Sequence, residues 1–405
     1  MNKPHCLFIS CFVCLSVHAQ LWMPVQNFPG AKRDDGVGVI VNNKWYCGTG
    51  LAESSGITTD FYGLDLNTYT WQALPSMPIY SNRQYACVFP GTNCFYVFGG
   101  EGFAGPSNEL YKFDITTQTW ALMNPKPGMG LTGASYFGFG DKAIIVGGKS
   151  QAQMNHEVWE YTLSSDTWSQ KNNFPFQPRW RSSQAASGST GYLLCGIDSV
   201  WNFGKELYQY DFLTDSWTIR DTFPTSKGRG YAAMQVMQNK KLMVFGGFDS
   251  LNVYFNDTWL YDLALNAWTQ EISMPASGRK GGMSGAHNNK FYYTCGIDKN
   301  NNRLNETWVF DVPLSVTKNS LHDFITVYPT LADDLCFVEI NLPYSSNITF
   351  EMMDANGKII KQVLIPNVQK HSTSIRLEDL CSGIYLIKFQ NETGEVYSKK
   401  IIKKD

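Results

Sequence analysis

Short apolar segments that end in glycine recur at regular intervals along the first three quarters of the chain. They read WYCG, YVFGG, IIVGG, LLCG, MVFGG and YYTCG, the first ending at Gly48 and the last at Gly296. A polar loop follows each segment, and after it comes an aromatic stretch such as LYKFD or TWLYD. Short apolar runs bounded by glycine and polar turns predict β-strands rather than helices.

Tryptophans recur between these units at a nearly constant spacing, and the first of them precedes the first unit. The series is Trp22, Trp71, Trp120, Trp168, Trp217 and Trp268, with intervals of 49, 49, 48, 49 and 51 residues by subtraction. An acid closes the polar loop of every unit, at Asp60, Glu109, Glu157, Glu206, Asp257 and Glu306. Self-similarity at this period predicts a propeller or a solenoid with four antiparallel strands per unit.

These residues resemble the kelch family, whose repeat is a glycine pair followed by a tyrosine and a tryptophan at this separation. The resemblance covers residues 21 to about 312 and implies an all-β, six-bladed propeller, which we place at residues 20–313. The sixth unit lacks a tryptophan of its own after TWVFD. We therefore expect the N-terminal strand around Trp22 to complete the last blade, which would leave no sheet edge open.

The chain changes character after Lys318, where short alternating strand patterns replace the aromatic repeat. We expect a small Ig-like β-sandwich over residues 318–405. VYPTLADDLCFVEI, FEMMDANGKIIKQ and LEDLCSGIYLIKF resemble the C-terminal sorting domain (type A) of type IX secretion substrates. That resemblance implies contact with the type IX secretion machinery and a secreted or surface-displayed protein. An ordinary carbohydrate-binding sandwich is the alternative.

The N-terminal residues and the composition indicate where the protein is located and which kinds of partner it has. Residues 1–19 combine Lys3, an apolar run and a small residue at Ala19, as in a cleaved signal peptide. No later apolar run is long enough for a transmembrane helix. A formal net charge of -2 argues against a nucleic-acid partner. Cys87 and Cys94 flank the turn-like segment PGTN. The sequence leaves open whether the two residues form a disulfide or remain free thiols.

Arginines precede the innermost strand of five units and suggest a binding site at one mouth of the central channel. They are Arg33, Arg83, Arg181, Arg229 and Arg279, with Leu131 in the third unit. A ring of arginines would hold a carboxylate or sulfate. Alternatively, four of the arginines pair with an acid that follows the glycines of their own unit, namely Glu101, Asp198, Asp249 or Asp298. On that second interpretation Arg33 and Lys149 retain free charge.

Aromatic side chains in the loops before the closing acids are further ligand-binding candidates. The set comprises Phe103, Trp201, Phe203, Phe248, Tyr254 and Phe255, of which Phe103 and Trp201 are the candidates we select. Such rings either stack on a sugar or a peptide or pack against neighbouring loops.

The sequence offers little for catalysis, so we expect a binding module for a glycan or a protein rather than an enzyme. Only His156 and His287 lie in the repeat region, and neither follows a tyrosine as the copper site of galactose oxidase requires. We predict no metal and no cofactor. Two units around YVFGGEG resemble bacterial N-acetylneuraminate epimerases, which interconvert sialic-acid anomers. That resemblance makes a mutarotase the alternative function, with Glu101 as its acid or base.

Overall fold

The computed structural model describes residues 22–54, 56–151, 153–312, 321–392 and 396–404. The chain divides into two compact units, Met1–Val312 and Pro313–Asp405. The predicted signal peptide, residues 1–19, lies outside the described residues.

The first unit consists of six four-stranded antiparallel sheets, which confirms the predicted six-bladed propeller. From the inner to the outer strand, the first sheet consists of Val37–Val41, Lys44–Gly48, Phe61–Asp65 and Trp71–Leu74. The second consists of Cys87–Gly91, Cys94–Phe98, Leu110–Asp114 and Thr119–Leu122. The third consists of Ser135–Phe139, Lys142–Val146, Val158–Thr162 and Thr167–Gln170. The fourth consists of Ser183–Ser187, Thr190–Leu194, Glu206–Asp211 and Ser216–Thr222. The fifth consists of Ala233–Met237, Lys241–Phe245, Thr258–Asp262 and Ala267–Glu271. The sixth consists of Met283–His287, Lys290–Thr294, Thr307–Asp311 and Trp22–Val25. We number them blades one to six in this order.

The N-terminal strand supplies the outermost strand of blade six. Trp22 pairs with Phe310 in an antiparallel register and is 1 % exposed. Its indole N–H donates to Thr258 Oγ1 at 3.1 Å, so the ring lies between blades five and six. The first and last parts of the propeller are therefore held in one sheet.

Short two-residue strands lie between the blades and the channel mouth. They are Arg33–Asp34, Leu51–Ala52, Gly56–Ile57, Glu101–Gly102, Gly105–Pro106, Lys149–Ser150, Gln153–Met154, Arg279–Lys280 and Ile297–Asp298. Each pairs the segment that enters a blade with the loop that leaves its second strand, or pairs the two sides of that loop. These ribbons fix the loops that surround the mouth.

The cysteine pair in blade two does not lie face to face. Cys94 is opposite Gly91, whereas Cys87 is opposite Phe98 at the other end of the hairpin. Both thiols are free and buried. The disulfide interpretation is therefore wrong, because the strand register separates the two residues.

The described residues of the second unit form a β-domain with one short helix, Leu321–Phe324. Its strands are Ile325–Tyr328, Leu331–Ala332, Leu335–Asp354, Ile359–Arg376, Gly383–Asn391 and Val396–Lys403. The two longest strands pair along most of their length, with register shifts between Asn341 and Ile348. Alternate side chains such as Val338, Phe350 and Ile387 are buried in one apolar core.

Candidate functional site

Six residues, one from each blade, form a closed ring of backbone hydrogen bonds at one end of the channel. We call this ring the collar; its members are Asp35, Tyr85, Gly133, Arg181, Tyr231 and Gly281. Each backbone N–H donates to the carbonyl of the collar residue in the preceding blade, over distances of 2.6 to 3.4 Å. All six have positive φ, between 57° and 67°.

Four side chains of the collar meet at the channel axis. Asp35 and Arg181 come from blades one and four, opposite each other in the ring, and Arg181 Nη2 donates to Asp35 Oδ1 at 2.5 Å. Tyr85 and Tyr231, from blades two and five, lie against the guanidinium, with ring centroids 4.7 and 4.2 Å from its carbon. An ion pair between two aromatic rings therefore closes this end of the channel.

The backbone conformation of these residues is costly. Bulky side chains such as those of Tyr85, Arg181 and Tyr231 rarely adopt positive φ, and each instance costs of the order of 1–3 kcal/mol. Glycine, which occupies the equivalent positions in blades three and six, would avoid this cost. Strain of this kind is concentrated at functional sites, so the collar is the first candidate for function.

Burial changes the proton affinity of the carboxyl at the collar. Asp35 is 4 % exposed, and desolvation, despite the opposing charge of Arg181, raises its pKa to about 7. The neighbouring Asp34 carboxylate raises this pKa further, while Lys280 lowers it. A group with such a pKa gains and loses a proton near neutrality, as a general acid or base requires.

Two lysines surround the collar without a carboxylate partner among the residues that the structure describes. Lys149 Nζ lies 4.0 Å from the ring centroid of Trp180. Lys280 Nζ lies 4.0 Å from that of Phe248 and 4.9 Å from that of Tyr231. Cations held over aromatic faces keep their charge available for an anionic ligand.

Several polar atoms at the mouth are buried and lack a hydrogen-bond partner within the described ranges. They are Gln84 Oε1, Thr132 Oγ1, Trp180 Nε1 and Arg181 Nε. Gln84, Thr132 and Trp180 directly precede the collar residues of blades two, three and four. Buried polar atoms in native proteins usually take a partner, so these atoms favour a polar ligand or water on that side of the mouth.

The channel itself continues beyond the collar. Its cavity has a volume of about 430 Å³ and is lined mainly by glycine, alanine and valine of the innermost strands. Arg181 and Tyr231 border it at the collar, and Gln184 and Gln235 are among the polar residues along its wall.

Four of the predicted binding arginines are structural. Arg33, Arg83, Arg229 and Arg279 are at most 2 % exposed. They pair with the closing acids of their own blades, Asp60, Glu109, Asp257 and Glu306, at 2.6 to 3.1 Å. They are thus placed away from a ligand, because each guanidinium is enclosed between its acid and the surrounding backbone.

The predicted acidic partners of the arginines are wrong. Asp198, Asp249 and Asp298 accept backbone N–H groups of their own loops instead. In blade four the structural arginine is Arg179, paired with Glu206 at 3.2 Å. Arg181 lies two residues later, in the collar, and Arg33 does not retain free charge because Asp60 binds it through both oxygens.

The remaining candidates lie in the loops around the mouth. Glu101 is half-buried, and its backbone pairs with Gln84 beside the collar. Phe103 and Trp201 are 82 % and 61 % exposed. These positions keep Glu101, Phe103 and Trp201 available to a ligand, as they do Lys149.

The sequence carried a signal for the collar, of which only Arg181 was among the predicted binding residues. Asp35, Tyr85, Arg181, Tyr231 and Gly281 each stand two positions after a structural arginine. These residues share a backbone conformation rather than a residue type, so a search of the sequence for similar side chains does not find them. Lys280, between Arg279 and Gly281, was missed because a lysine stands at this position in blade six alone.

Comparisons with known families identify both units. Residues 37–227 match the KLHDC2/KLHL20/DRC7 Kelch-repeats domain, and residues 229–275 match the Kelch motif. Residues 326–404 match the secretion system C-terminal sorting domain. This sorting domain marks proteins that are exported to the cell surface or secreted, and it implies interaction with the secretion machinery. Within the described ranges, no helix has the length and apolarity needed to span a membrane.

Individual relatives include enzymes. The chain is 33 % identical over 120 residues to the N-acetylneuraminate epimerase of Vibrio cholerae, covering 27 % of this chain and 30 % of that protein. Mouse Kelch domain-containing protein 1 is 27 % identical over 249 residues, which cover 59 % of this chain and 54 % of that protein. The chain thus spans under a third of the length of the epimerase that it matches. These relatives do not support the expectation that the chain lacks enzymatic activity.

A solved structure shares the fold. The structure of YjhT superimposes with a TM-score of 0.64 at 19 % identity, covering 72 % of this chain and 98 % of that one. At this identity the similarity concerns the propeller fold alone.

Proposed function

Because the chain is a kelch-repeat propeller protein with a C-terminal sorting domain, we propose that it acts outside the cell by binding an acidic sugar of the sialic-acid class at the collar. The observation that carries the proposal is the set of cations around the collar. Lys149 and Lys280 lie over aromatic rings without a carboxylate partner among the described residues, and Arg181 faces a carboxyl whose pKa is about 7.

The chemistry of the mouth suits a carboxylate next to a polyol. Charge-assisted hydrogen bonds from ammonium and guanidinium groups hold a carboxylate. Gln84, Thr132 and Trp180 place buried polar atoms without a hydrogen-bond partner among the described residues on this side of the mouth, where an ordered water would link them to sugar hydroxyls. The half-buried rings of Tyr85 and Tyr231, beside the guanidinium that they contact, supply the apolar surface that remains exposed there.

Titration calorimetry with N-acetylneuraminate tests the proposal, with N-acetylmannosamine as a neutral control sugar. We expect measurable binding of the acid only, and about a tenfold loss of affinity in Lys149→Gln and in Lys280→Gln, as for one charged hydrogen bond. Lys358→Gln, in the exposed turn of the C-terminal domain, is the matched control and should bind normally. Equal affinity for the neutral sugar, or no effect of either lysine variant, would overturn the proposal.

A second candidate function is the interconversion of sialic-acid anomers, which the epimerase relatives and the carboxyl of Asp35 favour. Opening of the sugar ring removes the proton of the anomeric hydroxyl, breaks the bond from the anomeric carbon to the ring oxygen and adds a proton to that oxygen. Closure on the other face reverses these steps. A carboxyl with a pKa of about 7 is suited to exchange both protons. Glu101, at the edge of the collar, is the alternative proton carrier.

NMR distinguishes the two functions. A sialidase releases one anomer in situ, and the appearance of the other is then followed with and without this protein. If the enzyme function holds, the rate increases with protein concentration and falls at least a hundredfold in Asp35→Asn or Glu101→Gln. An unchanged rate in a protein that binds the sugar leaves recognition as the function.

A further inference from the structure

Three loops at the mouth share one locked conformation. They follow the second strands of blades four, five and six, and each begins with an aspartate: Asp198, Asp249 or Asp298. One carboxylate oxygen of each aspartate accepts the backbone N–H groups two and four residues later, at 2.9 to 3.0 Å. These side chains are buried, so the three loops hold their shape without help from a ligand.

The residue three positions after the aspartate has positive φ in all three loops. It is Trp201 in blade four, Asn252 in blade five and Asn301 in blade six, with φ of 61°, 59° and 64°. Asparagine adopts this conformation readily, whereas for a bulky aromatic residue it is a genuine outlier. Trp201 therefore replaces the residue that the loop geometry favours.

Packing does not compensate for this replacement. Trp201 is 61 % exposed, and Val200 beside it is 71 % exposed. A strained, exposed indole on an otherwise locked loop indicates a contact with something outside the chain.

The loop that carries Trp201 begins beside the collar. It begins after Ile197, whose backbone exchanges two hydrogen bonds of 2.9 Å with Trp180. Trp180 directly precedes Arg181 and carries Lys149 on its ring face. The exposed indole thus belongs to the same blade as the guanidinium of the proposed acid-binding site.

We propose that Trp201 is a stacking platform for a second, neutral sugar, so that the ligand is an acidic sugar in glycosidic linkage rather than a free monosaccharide. The proposal rests on the acidic-sugar site above and names the substrate class of that site. When the apolar C–H face of a pyranose stacks on an indole ring, both surfaces are removed from water, which stabilises the complex. A linked acidic sugar has no free anomeric hydroxyl, so this substrate class favours recognition over anomer interconversion.

Calorimetry with two ligands tests the proposal: the methyl α-glycoside of N-acetylneuraminate and α2,3-sialyllactose. We expect the wild-type protein to bind the trisaccharide about tenfold more tightly, as one sugar–aromatic contact gives. Trp201→Asn introduces asparagine, the residue at this position in the loops of blades five and six. It should reduce the affinity for the trisaccharide to that for the methyl glycoside, leave the methyl glycoside unaffected, and leave the protein at least as stable to urea. Leu251→Ala, an exposed side chain of the blade-five loop, should change neither affinity.

Equal affinities of the wild-type protein for the two ligands would overturn the platform while leaving the acidic-sugar site intact. An equal loss of both affinities in Trp201→Asn would also overturn it, since the indole would then support the acid site itself. Failure of both ligands to bind would remove the acidic-sugar site and the platform together. Capture of an acidic peptide instead of either sugar, abolished by Trp201→Asn, would assign the indole to a protein partner and contradict the proposal.

Discussion

Asp35 and Arg181 come from opposite blades of the propeller and meet at its axis, with 2.5 Å between carboxylate and guanidinium. Both residues have positive φ, and the pair lies between the rings of Tyr85 and Tyr231. Opposite blades are thus linked through side chains inside the ring that their backbones form.

The raised pKa of Asp35 predicts a pH-dependent stability. The unfolded carboxyl has a pKa near 3.8 and the folded one a pKa of about 7, so the folded protein binds the extra proton between these values. Stability from this group is therefore present in full below about pH 4 and decreases as the pH rises to 7. We expect the stability of wild type relative to Asp35→Asn, measured by urea unfolding, to be greater at pH 5 than at pH 8. An equal difference at both pH values would contradict the raised pKa.

Closure of the propeller by the N-terminal strand predicts a large effect of its tryptophan. Trp22 is 1 % exposed and contacts the rings of Phe245 and Phe310. Trp22→Ala should destabilise the propeller by about 3–5 kcal/mol in urea unfolding, as for other buried aromatic residues. Met23 lies on the same strand but is 43 % exposed, so Met23→Ala is the control and should cost less than about 1 kcal/mol. Similar effects of the two variants would show that the strand does not close the ring in solution.

The arginine pairs inside the blades predict a loss of stability rather than of ligand binding. Arg229 is 1 % exposed and binds both oxygens of Asp257, at 2.7 and 3.0 Å. Arg229→Met should cost about 3–5 kcal/mol, because it leaves a largely buried carboxylate without its partner. Lys290→Met breaks a more exposed pair with Asp311 and should cost at most about 1 kcal/mol. If Arg229→Met unfolds normally but no longer binds N-acetylneuraminate, Arg229 belongs to the binding site after all.

The repeat period was sufficient to predict the propeller and the number of its blades, because the spacing of glycine, acid and tryptophan is imposed by the sheet geometry of every blade. The same period placed four arginines correctly before the inner strands, but in blade four it selected Arg181 instead of the structural Arg179. It did not identify their partners, since Asp60 lies 27 residues after Arg33 in sequence and only the folded loop brings the two side chains together. The collar was not predicted because aspartate, tyrosine, glycine and arginine share no chemistry there. They share only a backbone conformation and a hydrogen bond to the next blade.

The glycine of the collar in blade three offers a test of how closely the mouth is packed. Gly133 and Gly140 have nearly equal φ, 61° and 58°, so alanine at either position carries the same backbone cost of about 1–2 kcal/mol. A Cβ atom at Gly133 would lie 2.0 Å from Trp180 Nε1, whereas at Gly140 it would meet no atom within 4 Å. We therefore expect Gly140→Ala to show the backbone cost alone in urea unfolding. Gly133→Ala should be less stable still, and it should bind N-acetylneuraminate at least tenfold more weakly, because the displaced indole of Trp180 no longer supports Lys149. Equal stability and equal affinity of the two variants would mean that the side chains at the collar adjust freely, and the strained residues there would then need another explanation.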